Sequence, residues 1–400
     1  MDTSQDSGPD TAPAVARFTT PLPPRDLVPT VRVPADAPDA ALQIARGLGA
    51  GPFSLVTLFI SPQADSQSLK RQLRDAFPVT RIMGCTTAGE ISDLGYDEGS
   101  IVAVAFPVEH FGVETILIPD LNTCTSRDLV SNLIRTRQTL ARRYPRWGQE
   151  FAFLLVDGLS VKEDELTAAL ASGIGPVPLF GGSAGDGVRF RETFVLTGDQ
   201  RLQNAAVLAF VRTDCRVKVF NFDHLIPTDQ RMVVTAADPQ NRIVREINAE
   251  PAAREYARLL GKDPEQLSRF TFAAHPVVVR MGGRHHVRAI QKVAENGDLV
   301  FFSAIDEGLV LTLAQPSDMV AHLEGAFAGL SRDFGPPARI LACDCILRRL
   351  EAEEKQASGA LSDILKRYNA RGFSTYGEQL GSMHVNQTMT GVAIYPPSDT

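Results

Sequence analysis

The side chains of this 400-residue chain that could do chemistry lie among seven histidines, five cysteines and two glycine-rich turns. His384 stands between Met383 and Val385, with Asn386 two residues on. On an extended backbone His384 and Asn386 share one face, and Met383 and Val385 take the other. A neutral imidazole in an apolar pocket is the simplest axial ligand for a haem, and Asn386 is placed to hydrogen-bond beside it. The alternative is a histidine that packs within a terminal sheet. Cys343 and Cys345 flank Asp344, so both thiols face one side of a strand. They are either buried core residues or a thiolate ligand or redox switch. No second Cys pair or HxxxH spacing accompanies them, which disfavours zinc. Tyr376 and Glu378 precede the His384 segment, and Arg348 and Arg349 follow the cysteines. An arginine here could hold a haem propionate, share the two charged ends of an amino acid with Glu378, or form an ordinary ion pair.

The turns are GCTTAGEIS at Gly84–Ser92 and FGGSAGDG at Phe180–Gly187. Each offers small residues (Gly89; Gly182), hydroxyls (Thr86, Thr87; Ser183) and one acid (Glu90; Asp186). Glycine lets backbone N–H groups approach a ligand, or simply lets a crowded strand end pack. Neither turn has the phosphate-loop or dinucleotide spacing. Cys85 has no histidine nearby in sequence and reads poorly as a nucleophile. His275 precedes Pro276 and reads as structural, His285 and His286 follow a Gly-Gly hairpin turn, and His110, His224 and His322 have no supporting context.

These residues need elements to position them. Hydrophobic residues make up 44% and charged residues 22% of the chain, and the net charge is −7, so a soluble globular protein is expected and attraction to nucleic acid or anionic lipid is not. No apolar run reaches the length of a membrane helix. Five scattered cysteines suit a reducing cytoplasm. Residues 1–35 are proline-rich, lack a signal-peptide pattern and read as a disordered tail. A unit then begins: helix 36–48, strand 53–60, helix 66–76, the first turn, strands 100–106 and 113–118, and a helix over 126–143. It recurs as strand 151–156, helix 162–172, the second turn, and strands 205–211 and 217–222. Ala88-Gly89-Glu90 and Ala184-Gly185-Asp186 lie 96 residues apart, and Ala105-Phe106 and Ala209-Phe210 lie 104 apart; an extra strand, 193–196, accounts for the difference. Two packed copies of one sheet are the expectation. In the second half, Asn248 is read as capping a helix that ends at Gly261. Strands follow at 277–281, 286–289, 299–303 and 309–312, then a helix over 317–329. A strand at 339–345 leads into one long helix, 347–368, and two strands, 372–377 and 388–395, end the chain. The class is α+β.

The two turns resemble the signature turns of the FIST N-terminal domain. INAEPAAREYARLLG (Ile247–Gly261), AHPVVV (Ala274–Val279), the Cys343–Arg349 segment and GFSTYGEQLGSMHVNQT (Gly372–Thr388) resemble the FIST C-terminal domain. The resemblance implies an N-terminal domain over 36–225, a C-terminal domain over 226–400, and a layered α/β sandwich that senses a ligand and is not an enzyme. CDCILRRL and MHVNQT are similar to the nitric-oxide-sensing FIST haemoproteins (the NosP group). That similarity implies a bacterial, cytoplasmic haem protein, with His384 on the iron and nitric oxide as signal. Its partner would be a histidine kinase or a cyclic-di-GMP enzyme, cyclase or phosphodiesterase. The alternative within the family is a sensor of an amino acid or other small polar ligand without haem.

Overall fold

The computed structural model describes residues 26–123, 126–281 and 283–397. The first repeat comprises β1 (Thr30–Pro34), α1 (Ala40–Leu48), β2 (Phe53–Ile60), α2 (Ser66–Ala76), β3 (Arg81–Thr86), the hairpin β4–β5 (Glu90–Ser92 and Gly95–Asp97) and β6 (Ser100–Pro107). The second comprises β7 (Phe111–Ile118), α3 (Ser126–Arg143), β8 (Gln149–Val156), α4 (Glu163–Ile174), β9 (Leu179–Ser183), the hairpin β10–β11 (Val195–Thr197 and Gln200–Leu202) and β12 (Ala206–Thr213). After β13 (Cys215–Phe222) comes an inserted lobe. It holds β14 (Leu225–Asp238), β15 (Ile243–Ile247), β16 (Glu250–Pro251), α5 (Ala252–Leu260), α6 (Arg269–Ala274), β17 (Val277–Met281), β18 (Arg284–Arg288), β19 (Ile290–Val293), β20 (Leu299–Phe301) and β21 (Val310–Pro316). The chain then completes α7 (Met319–Phe334), β22 (Arg339–Cys345), α8 (Ile346–Glu354), α9 (Ser358–Arg367), β23 (Ala370–Thr375), the hairpin β24–β25 (Glu378–Leu380 and Met383–Val385) and β26 (Met389–Pro397).

The expected two copies are three. The body sheets run β1-β6-β2-β3-β10-β11, β7-β12-β8-β9-β24-β25 and β13-β26-β22-β23-β4-β5. In each, the central strand has a parallel neighbour on one side and an antiparallel neighbour on the other. In each, the far edge is extended by a hairpin from a different repeat, so the three sheets are tied in a ring. Pairing fixes the correspondence. Ile60 lies opposite Thr86 and Ile101, Val156 opposite Ser183 and Ala206, and Asp344 opposite Ser374 and Met389. The glycines agree. A Cβ on Gly84, Gly181 or Gly372 would run into the carbonyl oxygen of Leu58, Leu154 or Ala342, the parallel partner in each sheet. Gly84 and Gly181 lie 97 residues apart, one more than the tripeptide match suggested.

The inward faces of the three sheets share one core, with Phe59, Phe153, Phe180, Phe373, Cys85 and Cys343 inside it. Phe59 stacks on Phe373 at 4.7 Å between ring centres. Helices bury the outer faces: Ile44 and Leu73 on the first sheet, Leu133 and Leu170 on the second, Leu323 and Leu361 on the third. Burial on both faces explains why β2 and β8 read as nearly continuous apolar runs. The lobe has its own core around Tyr256, Phe272 and Leu313.

Local differences have local causes. Thr30–Pro34, expected in the tail, pairs with β6 as an edge strand, and the rest of that tail up to residue 25 lies outside the described residues. Asn248 does not cap α5, which starts after Pro251. Its backbone is left-handed, and its side chain accepts from Val233 N–H and donates to Glu255. The single long helix breaks at Gln356, also left-handed, and this lets the buried α8 and the more exposed α9 pack in different directions.

Candidate functional site

The carboxyl ends of β2, β8 and β22 are equivalent: Ser61, Asp157 and Cys345 donate their N–H groups to Ser100, Ala205 and Thr388 carbonyls. Beside each end, the hairpin of one repeat meets the helix that follows the central strand of another. Three related seats result: β4–β5 beside α8, β10–β11 beside α2, and β24–β25 beside α4.

The first seat is an open cleft of about 380 Å³. Thr87, Gly89 and Glu90 from the first turn, Asp186 and Gly187 from the second, and Arg349 from α8 meet there, with Arg269 and Phe270 from the lobe across from them. Gly89 is required: a Cβ there would occupy the space of the Arg349 guanidinium. Arg349 is held by the Asp97 carbonyl at 3.1 Å and by Glu98 at 3.0 Å, while Glu353 lies 3.5 Å away. Glu90 is fully buried. It accepts from the Thr87 hydroxyl and from Ser100 N–H at 3.2 Å, and burial pushes its carboxyl up to about 7 against these donors.

This acid–hydroxyl device is repeated. Glu378 accepts from the Thr375 hydroxyl, from Thr388 N–H at 3.2 Å and from the Thr388 hydroxyl at 2.7 Å, and burial pushes it up to about 8. The second repeat lacks it, because Gly187 and Ala205 occupy the corresponding places. Asp186 instead accepts from the N–H groups of Phe190, Arg191 and Glu192 and from the Tyr376 hydroxyl, so it organises a loop.

The second seat holds about 300 Å³, lined by Thr86, Arg189, Arg191 and Arg201 among others. The third is covered by the lobe. There Gln379 donates to Ser183 Oγ at 2.9 Å and to His384 Nδ1 at 3.3 Å. Arg242 from the lobe pairs with Glu163 at 2.7 Å and Asp164 at 3.1 Å. His384 and Asn386 share a face, both against Gly377, and Asn386 donates to the Tyr376 carbonyl at 3.4 Å.

The residues singled out from sequence therefore divide. Thr87, Gly89, Glu90 and Asp186 line the first cleft, and Thr86 and Asp186 the second. Ser183, His384, Asn386 and the Tyr376 backbone gather at the third seat. Cys85, Gly182 and Cys343 lie in the three-sheet core, where a Cβ on Gly182 would meet the Thr375, Phe373 and Cys343 side chains. Burial pushes the Cys85, Cys343 and Cys345 thiols well above their ordinary value, so none is a thiolate at neutral pH. Arg348 is buried and already bound to Asp344 at 2.7 Å and His224 at 2.8 Å; His224 in turn meets Glu351 at 3.0 Å. Arg348 is fully buried with only Nη2 unpartnered, so it offers no two-nitrogen edge to a propionate. His224, which had no sequence context, is thus part of a buried hydrogen-bonded network drawn from distant segments. His110 was overlooked likewise: its ring meets Asp214 at 3.1 Å, with Cys215 close by.

A haem fits His384 poorly. The ring's Nε2 has no partner among the described residues, as an axial ligand requires, though Gln379 donating to Nδ1 puts the ring's proton on Nε2. Yet the ring is walled by Gln379, Asn386 and Gly377, and none of the described cavities is lined by it. A porphyrin would have to displace the β24–β25 hairpin. Among the described residues no helix is long and apolar enough to cross a membrane.

Comparison with known proteins agrees with the turns. The family model described as the FIST N domain matches residues 54–250, and the FIST C domain model matches residues 252–380. No curated protein matches the chain. The border between the two family models falls inside the inserted lobe, so the third repeat completes a ring begun by the first two. With both domains matched in chain order and their signature turns lining one cleft, the chain belongs to the FIST family.

Proposed function

We propose that this protein senses a small polar ligand, bound without haem in the 380 Å³ cleft, and passes the signal to a partner such as a histidine kinase or a cyclic-di-GMP enzyme. FIST domains are small-ligand sensor domains of signalling proteins. The observation that carries the reading is the convergence of both signature turns with a buried arginine, Arg349, and a buried carboxyl, Glu90. The volume is at the lower end for ligand pockets. Glu98 and Glu353, the acids on Arg349, are about two-thirds and one-half exposed, so water weakens their hold and a ligand carboxylate can replace them. Glu90 offers a proton or a negative charge near neutral pH. Arg269 and Phe270 belong to the lobe, so a ligand in the cleft bridges body and lobe and favours one lobe position.

A thermal-shift screen over amino acids and small organic acids tests this, because a ligand that binds only the folded state raises its stability. Stabilisation by at least one such compound, lost in Arg349→Ala and in Glu90→Ala, is expected; a hit that survives both substitutions would place the ligand elsewhere. Haem ligation is the rival reading, supported by the unpartnered Nε2 of His384. Protein made with haem supply that shows a Soret band, abolished by His384→Ala, would replace the proposal.

A further inference from the structure

The third seat is closed, and its polar groups are not satisfied. Arg288, at the end of β18, is 8% exposed. Its only hydrogen bond is from Nη1 to the neighbouring Val287 carbonyl at 3.3 Å, its Nε has no partner, and no carboxylate lies within ion-pair distance among the described residues. Ser303 Oγ, Gln379 Oε1, His384 Nε2 and Asn386 Oδ1 are also buried and unpartnered. The segments that carry them face each other across one seam: β18 packs on β25, and Phe302 lies beside Tyr376. The body side carries Ser183, Gln379, His384 and Asn386, with Glu163 and Asp164 from the first turn of α4. The lobe side carries Arg242, Arg288 and the 302–304 segment. The seam is tied by Arg242 to Glu163 and Asp164, by Arg242 to the Phe302 carbonyl and by Ala304 N–H to Asp164 at 3.0 Å. Glu163, Asp164, Arg242 and Arg288 all act electrostatically on the His384 ring.

An unpaired buried arginine is costly, and each orphaned polar atom adds to that cost. Native interiors leave few such groups, so five in one seam point to something that satisfies them. The donors and acceptors define it. The edge of the Arg288 guanidinium matches a carboxylate. With Gln379 donating to Nδ1, His384 carries its proton on Nε2 and donates, as does the Ser303 hydroxyl. The amide oxygens of Gln379 and Asn386 need a donor from the ligand. Gly377 lets both side chains lie against the backbone: a Cβ there would come within 2.6 Å of Asn386 Nδ2 and 2.7 Å of His384 Nε2.

We propose that this seam is a second binding site, for a small carboxylate that also carries a hydroxyl or amino group, taken up when the inserted lobe lifts from α4. None of the described cavities opens on the seam, so entry separates Arg242 from Glu163 and Asp164, and closure over the ligand restores the pairs. The site does not depend on the open cleft.

The full chain is titrated with lactate, alanine and propionate, which differ only in carrying a hydroxyl, an amine or neither at the second carbon, with thermal shift and hydrogen exchange as readouts. Lactate or alanine is expected to raise the melting temperature at least tenfold more potently than propionate. It is also expected to slow exchange over residues 283–304 and 377–387. The slowed exchange over these segments, and the part of the melting shift that persists in Glu90→Gln, should vanish in Arg288→Met. Arg288→Lys, which keeps the charge and loses the planar edge, serves if the methionine variant does not fold; its affinity should fall at least tenfold. Three results would overturn the site: no response to any of the three, equal response to propionate, or an undiminished response in the Arg288 variants. The first would leave water as the seam's occupant.

Discussion

Replacing Glu378 by glutamine tests the buried acid–hydroxyl device directly. The Glu378 carboxyl is fully buried and pushed up to about 8 by burial, with the Asp344 carboxylate adding to the effect. Its ordinary value is 4.5. The folded protein therefore keeps a proton that the unfolded chain releases between those values. Its contribution to stability is full below pH 4.5 and is lost as pH rises towards 8. Linkage over the part of that range between pH 5.5 and 8.5 gives a loss of about 3 kcal/mol from this residue. Glu90, at about 7, adds about 2 kcal/mol in the same direction. Glutamine mimics the protonated acid: its oxygen faces the Thr388 donors, and its NH₂ faces the Thr375 hydroxyl, which can accept. The buried His384, whose imidazole is held below its ordinary value by burial, gains stability with rising pH, so the reading is the difference between wild type and variant. Urea denaturation midpoints at pH 5.5, 7 and 8.5 supply it. Glu378→Gln should be relatively more stable at pH 8.5 than at pH 5.5 by about 3 kcal/mol, and adding Glu90→Gln should extend the difference to about 5 kcal/mol. Parallel pH profiles for wild type and Glu378→Gln would refute the idea that this carboxyl is held neutral.

Two pairs of substitutions probe the ring. Gly181→Ala drives a methyl into the Leu154 carbonyl and should cost about 3 kcal/mol or more, whereas Gly325→Ala, on an exposed face of α7 with nothing within 4 Å, should be neutral or stabilising by up to about 1 kcal/mol; melting temperatures compare them. Arg348→Met strands Asp344 without its cation in the interior and should cost about 3–5 kcal/mol, part of which Asp344→Asn in the same chain recovers, measured by denaturation of the single and double variants.

Much of the local structure was legible. The strands Phe53–Ile60 and Arg339–Cys345 and the helices Ser66–Ala76 and Ser126–Arg143 fall where apolar periodicity places them. The third repeat was not legible, for two reasons. An inserted lobe separates β13 from α7, and its turn reads Tyr376-Gly377-Glu378 where the first reads Ala88-Gly89-Glu90. The tripeptide match between the first and second repeats also misled, since pairing aligns Glu90 with Gly187. The signature turns did announce the first cleft, but its arginine did not announce itself: Arg349 sits 259 residues after Glu90, and only the hairpin exchange brings β4 beside β23. Arg288 and Ser303 carried no signal, because an unpaired cation is a property of its surroundings.

Composition and periodicity by themselves determined that this is a folded α+β chain, because burial on both faces and close strand packing constrain residue type directly, and the two glycine turns with the C-terminal motifs carried its resemblance to the FIST family. Which residues share a seat was decided only in three dimensions. Each hairpin leaves its own repeat to extend another's sheet, so the groups that meet come from segments hundreds of residues apart, and no local rule of sequence encodes that exchange.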